Sequence, residues 1–181
     1  MSTRAVCCVA LATLGLSSCQ DEATDPVAAS SDRPGYVLAR DEGEVLVDAK
    51  GRTTIIKVSP ETGSRHLAMG SQDMPPGTGI RIHKHDRTEE ILYVTSGAGT
   101  VVLGDERIAV EGDTTVWVPP GAWHGVENPD EHMHLLWIVT PPGLDEFFRG
   151  LFWGPGEVQK TLTPAEIAEI EELHDSKAKR E

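Results

Sequence analysis

The sequence predicts an all-β domain, one barrel or sandwich of short strands, followed by a short C-terminal α-helix. Three observations carry this. Short segments with two-residue alternation or continuous apolar character recur from Gly35 onward; turn signals rich in Gly, Pro and Asp separate them; and 18 Gly and 12 Pro stand among 181 residues with few helix-length apolar stripes. Strands spaced this regularly close into a sandwich or barrel.

The first element is a leader. Residues 2–19, STRAVCCVALATLGLSSC, hold one basic residue, Arg4, an uncharged stretch from Ala5 to Leu16, and then small residues, which is a signal-peptide layout. The apolar run of about 12 residues falls short of the roughly 20 that span a bilayer as a helix, so residues 1–18 read as a segment to be removed. Leu16-Ser17-Ser18-Cys19 resembles the bacterial lipobox, whose cysteine is acylated. The resemblance implies a lipid on Cys19, export, and a membrane anchor facing the periplasm or cell exterior. Gln20 follows the cysteine where aspartate would resemble an inner-membrane retention signal, which favours the outer membrane. Cys7 and Cys8 fall in the removed part, so Cys19 is left without a disulfide partner. Residues 19–34 are polar and poor in large apolar side chains, a flexible linker.

The strands follow: Glu44 to Val47, Thr53 to Val58, Ile80 to His85, Ile91 to Val94, Thr100 to Leu103, Thr114 to Val118 and His134 to Thr140. Turn signals between them include Pro75-Pro76-Gly77, Ser96-Gly97-Ala98-Gly99 and Pro119-Pro120-Gly121. Residues 35–155 form the barrel on this reading, and Asp145 to Trp153, rich in aromatic residues, is a short helix or turn covering one open end. Residues 156–181 hold the C-terminal helix and tail. Thr163-Pro164-Ala165-Glu166 combines an N-cap threonine, a first-turn proline and a glutamate placed for a capping box. Ile167, Ile170 and Leu173 then share one face, with Glu169, Glu171 and Glu172 toward water and the last eight residues frayed.

Charge narrows the partners. The formal net charge of −13 argues against a nucleic-acid backbone or anionic headgroups. A small molecule is the expected partner.

The chemistry concentrates between Gly77 and Asn128. His83 and His85, one residue apart on a strand, point to one side. Of the adjacent Glu89 and Glu90 only one can face the interior, and Glu90 is taken as the inward carboxylate. Imidazoles beside a carboxylate make a nitrogen and oxygen set suited to iron, manganese, nickel, copper or zinc. Gly77, His83, His85, Glu90 and Gly97 match the first motif of the cupin superfamily, G-x5-H-x-H-x3,4-E-x6-G, at every spacing. Gly112, Pro119, Gly121, His124 and Asn128 resemble the second, G-x5-P-x-G-x2-H-x3-N, with one extra residue between Gly112 and Pro119 for a bulge or shifted turn to absorb. The resemblance covers roughly Gly35 to Gly150 and implies a single jelly-roll barrel holding one divalent transition metal through His83, His85, Glu90 and His124.

Four protein ligands about an octahedral ion leave two positions, for a bidentate substrate or for a substrate oxygen together with dioxygen. The end of the last strand also resembles small cupins related to quercetin dioxygenase. The expected function is metal-dependent, oxygenase-type chemistry on a small oxygen-rich or aromatic molecule, with Glu90 as a base. Isomerase or decarboxylase chemistry, or a lipid-anchored module that binds a ligand or metal without turnover, are the alternatives. Arg81 by parity faces the interior and can pair with an anionic substrate, or else sits at the rim among surface acids. Leu92, Trp117, Trp123 and Trp137 are candidates for an apolar pocket wall. His132 and His134 read as surface or rim residues, and His66 and His174 as solvated. The resemblance further implies a homodimer.

Overall fold

The computed structural model describes residues 35–128 and 130–180. The expected leader, the expected lipidation site Cys19 and the expected linker lie outside the described residues. Among the described residues, eleven strands form two sheets: β1 (Glu44–Val47), β2 (Thr53–Val58), β3 (Ala68–Met74), β4 (Thr78–Lys84), β5 (Glu89–Ser96), β6 (Ala98–Leu103), β7 (Glu106–Glu111), β8 (Thr114–Val118), β9 (His124–Asn128), β10 (Met133–Thr140) and β11 (Lys177–Ala178). One sheet has the order β1-β2-β3-β10-β5-β8 and the other β11-β4-β9-β6-β7. Two helices, α1 (Leu144–Leu151) and α2 (Pro164–Leu173), follow the last long strand. The all-β jelly roll with a C-terminal helix is thus the observed architecture.

Alternation along the strands fills the barrel. In β10, Met133, Leu135, Trp137 and Val139 are almost wholly buried, and they meet Leu92 and Val94 of β5, Val101 of β6, Val110 of β7 and Val126 of β9 in one apolar core. Two glycines are required by close approach. Gly97, at φ 82, carries the turn from β5 into β6, and a Cβ there would come within 2.1 Å of the His132 carbonyl oxygen. Gly70 leaves room for the Trp137 indole, whose ring atoms stand 2.4 and 2.7 Å from where a Cβ would lie. The extra residue of the second motif makes no bulge in β8. Asp113, in the turn before it, adopts φ 68, and β8 pairs with β5 in unbroken register from Thr114 to Val118.

α1 is held over one end of the barrel by Phe148 and Phe152, both buried, with Phe148 5.4 Å from the Trp137 ring. Arg149 ties it to the sheet, its guanidinium shared by Glu44, Glu61, Asp145 and Glu146. α2 has the expected cap: the Thr163 hydroxyl oxygen accepts from the Glu166 N–H at 3.3 Å, and the Glu166 carboxylate accepts from the Thr163 N–H at 2.7 Å.

The far C-terminus departs from expectation. The segment predicted to fray is ordered against the barrel: Asp175 and Ser176 are buried, and β11 adds an antiparallel edge to β4. Glu171, predicted to face water, is buried and paired with Arg81, whereas Leu173, assigned to the packed face, is 66% exposed. A helix-wide apolar stripe is absent because α2 packs through the buried Glu171, paired with the largely exposed Arg81, as well as through isoleucines.

Candidate metal centre

Sequence places two histidines on β4 and its exit, a glutamate on β5 and a histidine on β9, and the two sheets bring them face to face. His83 lies in β4 opposite His124 of β9, and Glu90 lies in β5 opposite Val139 of β10. One ligand-type atom from each of His83, His85, Glu90 and His124 lies within 4.8 Å of all the others. That is close to the span across one ion at metal–ligand bonds of about 2.1 Å. His85, Glu90 and His124 are buried, and His83 keeps a partly exposed edge on the cavity.

Backbone carbonyls orient all three imidazoles. His83 Nδ1 lies 2.9 Å from the Arg81 carbonyl oxygen, His85 Nδ1 2.6 Å from that of Asp175, and His124 Nδ1 3.0 Å from that of Ala122. A carbonyl can only accept, so each ring carries its proton on Nδ1 and turns Nε2 inward, the tautomer a metal requires. His85 Nε2 is buried with no hydrogen-bond partner. His124 Nε2 stands 2.8 Å from a Glu90 carboxylate oxygen. A cation bound between those two atoms would take both as ligands. An orphaned buried nitrogen and a buried imidazole–carboxylate pair converging on one point fit a divalent transition metal.

The electrostatics agree. Burial opposes the charged form of Glu90, but the hydrogen bond with His124 and the nearness of His124 and His85 outweigh it and hold the carboxyl well below the usual range. Burial, then the neighbouring His124 and His85, lower the His83 pKa to about 3 and keep it a neutral ligand. At His85 burial disfavours the cation, yet the Glu90 carboxylate prevails and raises the pKa.

Beside the cluster lies a cavity of about 170 Å³. His83, Glu90 and His124 form one part of its wall, and Leu92, Trp137, Phe148 and Phe152 form an apolar part. Gln72 is buried there, its amide N–H donating to Thr54 Oγ1 at 3.2 Å, and Trp137 Nε1 is buried with no partner. Of the expected wall residues, Leu92 and Trp137 line the cavity. Trp117 does not: it is 58% exposed, because Val118 takes the inward parity on β8. Trp123 lies outside as well, beside the ammonium groups of Lys84 and Lys179. Arg81 stands at the cavity mouth with a largely exposed side chain held by Glu171 at 2.8 Å, the rim alternative. A register irregularity between Ile80 and His83 breaks the parity that would have turned it inward. His132 is exposed and paired with Asp73, but His134 is buried, its Nδ1 2.5 Å from Thr95 Oγ1.

Reasoning from local pattern missed Gln72, Glu171, Asp175 and Ser176. Gln72 sits in a strand, β3, whose alternation is blurred by glycine and polar residues. Glu171 belongs by pattern to the water face of the last helix, and Asp175 and Ser176 to the final segment expected to fray.

Residues 70–139 match the model of the cupin domain family. An uncharacterized protein of Methanocaldococcus jannaschii is 36% identical over 70 residues, 38% of this chain and 56% of that protein, so just over half of that relative's length is spanned. Among solved structures, KdgF from Halomonas sp. superposes with a TM-score of 0.56 at 19% identity, over 62% of this chain and 99% of that one. The polyketide cyclase RemF from Streptomyces resistomycificus superposes with a TM-score of 0.53 at 17% identity, over 74% of this chain and 91% of that one. At these identities the structures share the fold.

Proposed function

We propose that this chain, whose residues 70–139 match the cupin domain model, is a metal-dependent enzyme of the oxygenase type acting on a single-ring, oxygen-rich or enolisable molecule, with the metal held by His83, His85, Glu90 and His124. The observation that carries this reading is the cavity itself. Its volume of about 170 Å³ suits one aromatic ring, since an apolar cavity of about 150 Å³ holds benzene, and three of the four candidate ligands, His83, Glu90 and His124, form one of its walls. The metal would supply Lewis-acid activation of a substrate oxygen, and with iron, manganese or copper the redox partner for dioxygen.

The chain's own residues set the rest. Leu92, Phe148 and Phe152 exclude water and hold an apolar ring. The Trp137 ring adds to the same apolar wall. Glu90, ionised beside two imidazoles, can receive a proton from a substrate hydroxyl that reaches the cluster.

Elemental analysis of protein purified without added metal tests this, with oxygen uptake measured on catechol. About one equivalent of iron, manganese or copper per chain is expected, with at least a tenfold loss in His124→Ala and catechol-dependent uptake in wild type only. Undiminished metal in His124→Ala would overturn the ligand set. Zinc with no uptake would overturn the oxygenase reading while leaving the metal centre standing.

A further inference from the structure

The C-terminal segment meets the metal centre from outside the barrel, and one residue does most of the holding. Asp175 follows α2 with a left-handed backbone, φ 54, unusual for a residue other than glycine and tolerated by Asp and Asn. Its carbonyl oxygen accepts from His85 Nδ1 at 2.6 Å. Its carboxylate accepts from the backbone N–H groups of Asp86 and Arg87 at 2.9 Å each, from the Thr88 N–H at 3.1 Å and from the Thr88 hydroxyl at 3.0 Å. Four consecutive residues, 85–88, are therefore bound by one. They form the turn that joins the histidine-bearing strand to the strand carrying Glu90.

The residues after Asp175 extend the grip. Lys177 and Ala178 pair with Lys84 and His83, and the Lys179 N–H donates to the Ile82 carbonyl at 2.9 Å. Lys177 also bridges Asp86 to Glu172. On the inner side, Glu171, Ser176 and Ala178 line the same cavity as His83, Glu90 and His124.

Resting on the metal-centre reading, we propose that residues 171–179 are a strap that completes the site. Asp175 is a positioning residue that fixes the imidazole of His85 and the 85–88 turn, and metal binding and strap order are coupled. Three ligand positions are controlled from this segment: His83 through the β4–β11 pairing, His85 through the carbonyl, and Glu90 through the turn preceding it. Coupling is reciprocal by linkage, so whatever the strap adds to metal affinity the metal returns as protection of the strap.

Cobalt(II) titration against a competing chelator, with the cobalt ligand-field spectrum recorded, compares wild type with Asp175→Gly and Asp175→Asn. Glycine accepts the left-handed backbone and removes the carboxylate alone. Asparagine keeps an acceptor and tolerates the same backbone. Affinity in Asp175→Gly is expected to fall at least tenfold with an altered spectrum, and Asp175→Asn to recover part of both. In wild type, cobalt is expected to slow hydrogen exchange of the 174–179 amides at least tenfold. Cobalt affinity and spectrum in Asp175→Gly equal to wild type, or tail exchange indifferent to cobalt, would overturn the proposal. Should wild type take up no cobalt, the metal reading and the coupling fall together. Exchange of the 86–88 amides in metal-free protein then judges the positioning role: faster exchange in Asp175→Gly upholds it, and unchanged exchange removes it.

Discussion

The two ends of the barrel are built on the same strands and are opposites. On β10 and its neighbours, Met133 stands opposite Met74, then Leu135 opposite Val94, then Trp137 opposite Leu92, and last Val139 opposite Glu90. One end is thus thioether and aliphatic, with Met74, Met133 and Leu135 wholly buried. At the other end the facing sheet contributes His83 and His124, paired across β4 and β9, and the cavity opens beside them. Close-packed side chains stabilise the first end by removing apolar area from water. The second end gives up that packing for buried polar groups, each of which costs stability until something satisfies it. Where the first end is closed by its own strands, the second is closed by segments from after the barrel, α1 and the strap. Stability and chemistry are therefore separable along the strand axis, and substitutions at the two ends should have different signatures.

The largest effect should come from the packed end. Leu135→Ala removes a fully buried side chain from between two strands and should lower the unfolding free energy by about 3 kcal/mol, as buried leucine truncations do. Urea unfolding measures this, and elemental analysis of the folded fraction should find metal content unchanged. Lost metal in a folded Leu135→Ala protein would break the comparison, because the ends would then be one cooperative site.

Metal removal is the complementary probe. At a metal concentration one hundredfold above its dissociation constant, binding to the folded state adds about 2.7 kcal/mol, and chelation should remove that amount. Glu90→Ala should show no such difference with and without chelator, since it lacks the carboxylate that His124 faces at 2.8 Å. A chelator effect that survives in Glu90→Ala would place the stabilising metal elsewhere.

The difference between the ends also accounts for what local pattern reveals. β1, β2 and β8 are foretold to the residue by alternation between turn signals, and the shared side of His83 and His85 by parity, a local property of a strand, whereas the set of four candidate ligands including His124 comes from the resemblance of two motifs. β7 is an edge strand with mostly exposed side chains, and β3 carries Gly70, Ser71 and Gln72 in its buried stretch, so neither shows the expected pattern. Trp117 illustrates the limit of residue type as a guide: an aromatic beside the second motif looks like pocket wall, but its parity is outward. Nothing local in His174-Asp175-Ser176 announces that a carboxylate there satisfies N–H groups about ninety positions earlier, at separations of 87 to 89 residues. Long-range polar pairing has no period, and the functional end of this barrel depends on it.

The smallest effect should sharpen the comparison most. Thr163 caps α2 far from the cavity in sequence, its hydroxyl accepting from the Glu166 N–H while the Glu166 carboxylate accepts from the Thr163 N–H. Thr163→Ala removes the first of these and should cost the helix about 1 kcal/mol. If the functional end is closed by its own local unit, that cost appears there and not in the barrel. Hydrogen exchange of the 174–179 amides should then quicken about fivefold, the equivalent of 1 kcal/mol, while amides of β5 and β10 keep their wild-type rates. Equal acceleration in strap and strands would mean that the strap unfolds only with the whole barrel. A strap that opens by itself is what a closure made of two buried carboxylates, the partly exposed ion pairs of Arg81 and Lys177, and a two-residue strand should do, having little apolar area of its own to hold it down.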